Sequence, residues 1–179
     1  MSFVIWMTGL PCSGKTTLAK KLQENLINLE ILDGDNLMDD LVAGTGIESN
    51  GTQTGWSKQG RLDHTKRVAY VAKLLLKHNV PVCVSVISPF KESREIARKI
   101  IDSDRFIETY VKCSLELCRK RDVKNLYKKA ENGELENLSG ITGRYDIPQN
   151  PDLIIDTERF TVNENIQTII TFLNSKNFL

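Results

Sequence analysis

The sequence predicts an α/β fold, a parallel sheet with helices on both faces and a lid, and three observations predict it. Short apolar runs alternate with amphipathic helical patterns along the chain. The run Val80 to Ile87 is almost entirely apolar, as a strand covered on both sides must be. Gly9-Leu10-Pro11-Cys12-Ser13-Gly14-Lys15-Thr16 fits G-x-x-x-x-G-K-(S/T) between a strand and a helix, the context a phosphate-binding P-loop requires.

Ser2 to Met7 is the first strand, and Thr16 to Leu22 opens a helix whose Leu18, Leu22 and Leu26 recur at helical spacing. Leu29 to Leu32 is a short second strand that ends at Asp33-Gly34-Asp35-Asn36. Residues 44–57, rich in Gly, Ser, Thr and Asn, read as a loop. Arg61 to His78 is a long helix with Val68, Val71, Ala72 and Leu75 on one face. The apolar strand Val80 to Ile87 follows and Ser88-Pro89 stops it. Glu92 to Ile101 reads as a helix, Phe106 to Val111 as a strand, and Leu115 to Lys120 as a short helix. Residues 121–150 are charged, contain Gly and are weakly periodic, which suggests a mobile lid. Leu153-Ile154-Ile155 is a last strand, and Ile166, Ile169, Ile170 and Leu173 stripe a C-terminal helix. Ligands of such sheets sit at the carboxyl ends of the strands, where the motifs below fall.

A chain of 179 residues suits one domain, 1–179, with a real core. Its 24 basic and 23 acidic residues nearly cancel, so no basic stripe argues for nucleic acid. No apolar run approaches a membrane span, and the N-terminus passes straight into a strand with no room for a signal peptide. A cytoplasmic location is expected. Cys12, Cys83, Cys113 and Cys118 form no C-x-x-C pair, so a zinc or redox motif is not expected and the thiols should be free. Cys12 lies in the phosphate loop, where a small residue tolerating a tight turn is the plainer reading than a thiol of lowered pKa.

The chemistry of the loop follows from its backbone. Its N–H groups point inward at phosphate oxygens, helped by the positive end of the helix dipole. ATP would lie on Gly9, Leu10, Pro11, Cys12, Ser13, Gly14, Lys15, Thr16 and Thr17, with Lys15 reaching the β- and γ-phosphates and the Thr16 hydroxyl helping to hold Mg²⁺. The strand ending Val86-Ile87-Ser88 carries no acid, and no N-K-x-D marks guanine recognition. The acids follow strand two instead, as Asp33 and Asp35. A carboxylate beside metal and acceptor can orient a hydroxyl and take its proton, as a kinase needs, while Asp-Gly-Asp-Asn also suits turn and helix-cap chemistry. Arg119, Arg121, Lys124, Lys128 and Lys129 form a basic cluster entering the lid, able to neutralise phosphate charge and close over ATP or to form a solvated helix face.

On these residues the chain resembles the adenylylsulfate (APS) kinase family over nearly its whole length. Trp6-Met7-Thr8-Gly9-Leu10 resembles the family's W-(L/M)-T-G-L, and Leu32 to Asn36 matches L-D-G-D-N. Trp56-Ser57-Lys58 through Arg61, then Lys66-Arg67-Val68-Ala69, resemble G-F-S-x-x-x-R and R-R-(I/V)-A. Ser85 to Phe90 resembles S-F-I-S-P-Y, and Arg121 to Ala130 matches R-D-x-K-x-L-Y-K-K-A. Gly140-Ile141, Tyr145, Pro148 and Asn150-Pro151 resemble G-I-x-x-x-Y-x-x-P-x-N-P.

The resemblance implies a P-loop kinase that moves the γ-phosphoryl of MgATP to the ribose 3′-hydroxyl of adenylyl sulfate. Asp35 matches the family's candidate base, with Asp33 beside it near the metal. Ser88 matches a serine described as a phosphorylated intermediate, although direct in-line transfer needs no covalent step. Arg61 matches an arginine that holds the acceptor's phosphosulfate, Trp56 stands where a ring stacks on its base, and Ile87 lines the same pocket. His64, Lys124, Lys128 and Leu138 complete the acceptor candidates, and a homodimer is implied.

The departures fall on the acceptor side. Met38 stands where the family commonly has Arg, His64 where it often has Asn, and Leu138 where a Phe completes the base sandwich. The loop from Leu41 to Trp56 is longer than usual by roughly nine residues, which a surface loop tolerates. Three readings follow: an APS kinase of sulfate activation; the same 3′-kinase chemistry on cytidine diphosphoramidate in bacterial capsule modification; and a silent nucleotide-binding regulatory module. Intact Lys15, Thr16, Asp33 and Asp35 argue against the third.

Overall fold

Five parallel strands run in the order β2-β3-β1-β4-β5, with β1 Val4–Thr8 in the middle. The computed structural model describes residues 2–34 and 57–179. The other strands are β2 Glu30–Asp33, β3 Val82–Ser85, β4 Phe106–Lys112 and β5 Leu153–Asp156. Among the described residues the helices are α1 Lys15–Gln23, α2 Lys58–Lys77, α3 Lys91–Ile101, α4 Leu115–Arg121, α5 Leu126–Glu131 and α6 Val162–Ser175.

The strand period of two sorts β1 between two cores. Ile5 and Met7 point to the layer that holds Leu18, Ala19 and Leu22 of α1 and Ile166, Ile169 and Leu173 of α6. Val4 and Trp6 point to the other layer, against Val68, Ala69, Ala72 and Leu76 of α2 and Ala97 and Ile101 of α3. All five residues of β1 are buried, so the strand reads as a continuous apolar run and hides its own alternation. Ile169 is fully buried between β-strands and α1, so Ile169→Ala should cost about 2–5 kcal/mol and lower Tm by roughly 5–15 °C in thermal unfolding.

Caps set several boundaries. Ser57 Oγ accepts the Gly60 N–H at 3.1 Å, which starts α2 at Lys58, a turn before Arg61. Thr161 and Glu164 form a reciprocal capping box that opens α6. The third strand is shorter than its apolar run: β3 stops at Ser85, and residues 86–89 leave the ladder to make side-chain contacts. Within residues 121–150, helix α5 packs Tyr127 and Ala130 with Cys118 and Leu138 in a third, small apolar cluster. Asp122 caps α5, its carboxylate accepting the N–H groups of Tyr127 and Lys128 at 3.1 Å each. Among the described residues, no helix is long and apolar enough to cross a membrane.

Candidate active site

A cleft of about 840 Å³ opens over the carboxyl ends of the strands. Its floor is the β1–α1 loop. Gly9 sits against β4: an added Cβ would lie 2.6 Å from the Val111 carbonyl oxygen and 2.7 Å from Ser13 Oγ. Gly14 takes φ 103 at the N-cap of α1, a conformation that favours glycine. Cys12 also has positive φ, 61°, and lines the cleft, in keeping with a tight-turn residue. The other three cysteines are buried and none of the four is bridged; burial pushes the Cys83 and Cys118 thiols up to about 12.

The catalytic candidates of the loop converge. The Lys15 ammonium donates to the Gly9 and Leu10 carbonyls at 3.0 and 2.8 Å, with Ser13 Oγ at 3.4 Å, so it curls back over the loop it belongs to. Thr16 Oγ1 donates to Asp33 Oδ2 at 2.7 Å and lies 3.3 Å from Ser85 Oγ. Asp33 ends β2 and Ser85 ends β3, and these adjacent strands are in register at that pair. A hydroxyl and a carboxylate so placed are hard oxygen donors of the kind a Mg²⁺ ion takes together with waters and phosphate.

Two flanks rise from this floor. On the β5 side, Arg121 donates to the Thr157 carbonyl at 2.8 Å and to the Cys12 carbonyl at 3.4 Å, while Thr157 Oγ1 donates to the Ser13 carbonyl at 2.8 Å. Phe160 and Val162 line the cleft there and are partly exposed. On the β3 side stand Arg61, His64, Ile87, Ser88 and Pro89, with Lys124 also on the lining. Arg61 donates to the Asn137 carbonyl at 2.9 Å, and burial lowers its pKa to about 10, which leaves it cationic at neutral pH. Ser88 is buried, and its Oγ accepts the Trp6 indole N–H at 3.0 Å.

Gly9, Leu10 and Ser13 belong to the loop but do not themselves line the cleft, and three other expected site residues lie elsewhere. Leu138 is fully buried with Cys118, Tyr127 and Ala130 and does not line the cleft, because the apolar side of the 121–150 segment folds inward. Arg119 pairs with Glu131 at 3.1 Å on the outside of that segment. Lys128 is on the exposed face of α5, since Tyr127 and Ala130 occupy the buried one. Asp35, Met38 and Trp56 lie outside the described residues.

Tyr127 and Thr157 escaped the sequence reading. Tyr127 OH donates to the Pro11 carbonyl at 2.9 Å, a strut from α5 to the phosphate loop, and burial raises its pKa. Thr157 follows directly on the last parallel strand, and that position was its one available signal.

The sequence profile of the adenylylsulphate kinase family matches residues 1–156. The chain belongs to this family. A probable adenylyl-sulfate kinase of Halalkalibacterium halodurans is 42% identical over 179 residues, covering 98% of this chain and 84% of that protein. An adenylyl-sulfate kinase of Oceanobacillus iheyensis is 40% identical over 182 residues, covering 99% and 87%. The APS kinase of Mycobacterium tuberculosis, solved in complex with AMPPNP and APS, superposes with TM-score 0.84 at 36% identity, covering 97% of this chain and 98% of that one. This adenylylsulphate kinase family member is a P-loop kinase with a five-stranded parallel sheet among its described residues.

Proposed function

We propose that this kinase transfers the γ-phosphoryl of MgATP to the ribose 3′-hydroxyl of adenylyl sulfate, giving 3′-phosphoadenylyl sulfate. The observation that carries this is the Lys15–Thr16–Asp33 constellation at the floor of a two-flanked cleft in an adenylylsulphate kinase family chain. The relative solved with AMPPNP and APS supports the choice of both substrates.

In-line transfer needs donor and acceptor on opposite sides of the moving phosphoryl group. The phosphate loop follows the central strand, so the two flanks supply those sides. Asp33, the kinase's metal-side carboxylate, ends β2 next to β3. The donor's base then lies on the β5 flank, between Arg121, Thr157 and Phe160, and the acceptor against Arg61, His64 and Ile87. Arg61 brings a cation to the acceptor's anionic tail, and Asp35 takes the 3′-hydroxyl proton. Thr16 and Asp33 are the residues that would hold Mg²⁺, which when bound neutralises phosphate charge. Lys15 adds a fixed cation beside the transferred group. A cytoplasmic homodimer belongs to the same reading.

The test is ATP consumption by the pure protein with adenylyl sulfate or cytidine diphosphoramidate at equal concentration. The expected result is a clear kcat/KM advantage for adenylyl sulfate. Leu138 is buried and does not line the cleft, which supports adenylyl sulfate over the cytidine compound. An advantage for the cytidine compound would overturn the assigned acceptor. ATP binding without transfer to either would leave a silent nucleotide-binding module.

A further inference from the structure

The turn Ile87-Ser88-Pro89 forms a wall of the cleft, yet no ladder holds it. Ser88 takes φ 41, a left-handed conformation that a non-glycine residue keeps only when its surroundings impose it. Thr8 Oγ1 donates to the Ile87 carbonyl at 2.6 Å, and the Asp146 N–H donates to the Pro89 carbonyl at 2.7 Å. Between them, Arg94 Nη1 donates to the Ser88 carbonyl at 2.9 Å.

Arg94 is only 3% exposed and lies outside the cleft lining. Its remaining contacts run in two other directions. Nε donates to Glu108 Oε1 at 2.8 Å, on β4 opposite Trp6, and Nη2 donates to the Asp146 carbonyl at 2.9 Å. Tyr145 OH lies 3.0 Å from Thr8 Oγ1, and Asp146 Oδ2 accepts the Lys91 N–H at 3.1 Å. One buried guanidinium therefore ties the sheet, the cleft wall and segment 144–146 together.

We propose that Arg94 is a positioning residue for the acceptor, fixing the Ile87–Pro89 wall against segment 144–146. The proposal rests on the reading that places the acceptor on that wall. A lysine cannot replace it, because a point charge lacks the planar fork that reaches three partners.

Arg94→Lys and Tyr145→Phe test it, with kcat and the KM for ATP and for adenylyl sulfate measured separately and folding followed by circular dichroism. Arg94→Lys should raise the acceptor KM by about tenfold or more while the ATP KM stays within about twofold. Tyr145→Phe, which removes only the strut to Thr8, should shift the acceptor KM the same way by about threefold. If Arg94→Lys does not fold, Tyr145→Phe carries the kinetic test. Equal changes in both KM values, or none, would overturn the positioning role. Wild-type turnover of adenylyl sulfate tests the functional reading separately. If that fails, amide exchange in Tyr145→Phe still decides: Ile87, Ser88 and Phe90 must gain exchange together with residues 144–146, and unchanged exchange overturns the tie.

Discussion

Lys15→Ala should lower kcat/KM by about a hundred- to a thousandfold while the protein stays folded, because on the proposed reading it removes a preorganised cation from the transferring phosphoryl group. The fold has little to lose. Lys15 contributes hydrogen bonds to the Gly9 and Leu10 carbonyls and nothing to the two main apolar layers. Its helix is anchored by Leu18, Ala19 and Leu22, and Gly14 supplies the N-cap geometry. Each hydrogen bond lost to the Gly9 and Leu10 carbonyls costs about 1 kcal/mol. By contrast, one lost charge-stabilising donor typically costs about 3–4 kcal/mol in the transition state. The loss should fall mainly on kcat, with ATP retained by the loop's backbone N–H groups. Steady-state kinetics beside a thermal melt separate the two effects. Normal turnover by a folded Lys15→Ala protein would remove the lysine from the mechanism.

The parts legible in the sequence were those written in local patterns. The phosphate loop is one contiguous motif, and the packing of Gly9 against Val111 and the left-handed Gly14 explain why its glycines recur at those places. The alternation of strands and helices gave the parallel sheet, because each strand buried on both faces must be followed by a crossover. What stayed hidden depends on partners distant in sequence. The run Val80 to Ile87 reads as one strand, yet the ladder ends at Ser85 because Thr8 and Arg94 take the carbonyls of Ile87 and Ser88. Apolar character does not report where a backbone turns to side-chain partners. Leu138 shows the same limit from the other side. A motif match fixes its place in the chain but not its direction, and Tyr127 and Cys118 draw it inward. Arg119 and Lys128 were read as one basic cluster with Arg121, but helices α4 and α5 turn them outward and leave Arg121 on the phosphate loop.

The acid that ends β2, Asp33, and the one two residues on, Asp35, should separate when they are changed one at a time. Asp33 accepts a hydrogen bond from the Thr16 hydroxyl at 2.7 Å, beside the phosphate loop, where the proposed reading puts the metal. A carboxylate engaged there serves charge neutralisation poorly if it must also take up a proton. The proposed reading therefore gives the proton of the 3′-hydroxyl to Asp35, two residues further along and outside the described residues. Asp35→Asn keeps the side-chain shape and removes the proton acceptor. It should lower kcat by at least about a hundredfold with ATP binding retained, the usual scale for loss of a general base. Asp33→Asn should behave differently, with activity partly restored as Mg²⁺ is raised, because its defect lies in holding the ion. Titrating Mg²⁺ against both variants, with ATP affinity measured by calorimetry, distinguishes them. An unchanged kcat in Asp35→Asn would move the base elsewhere, and Asp33 would then have to carry both tasks from the single position it occupies beside Thr16.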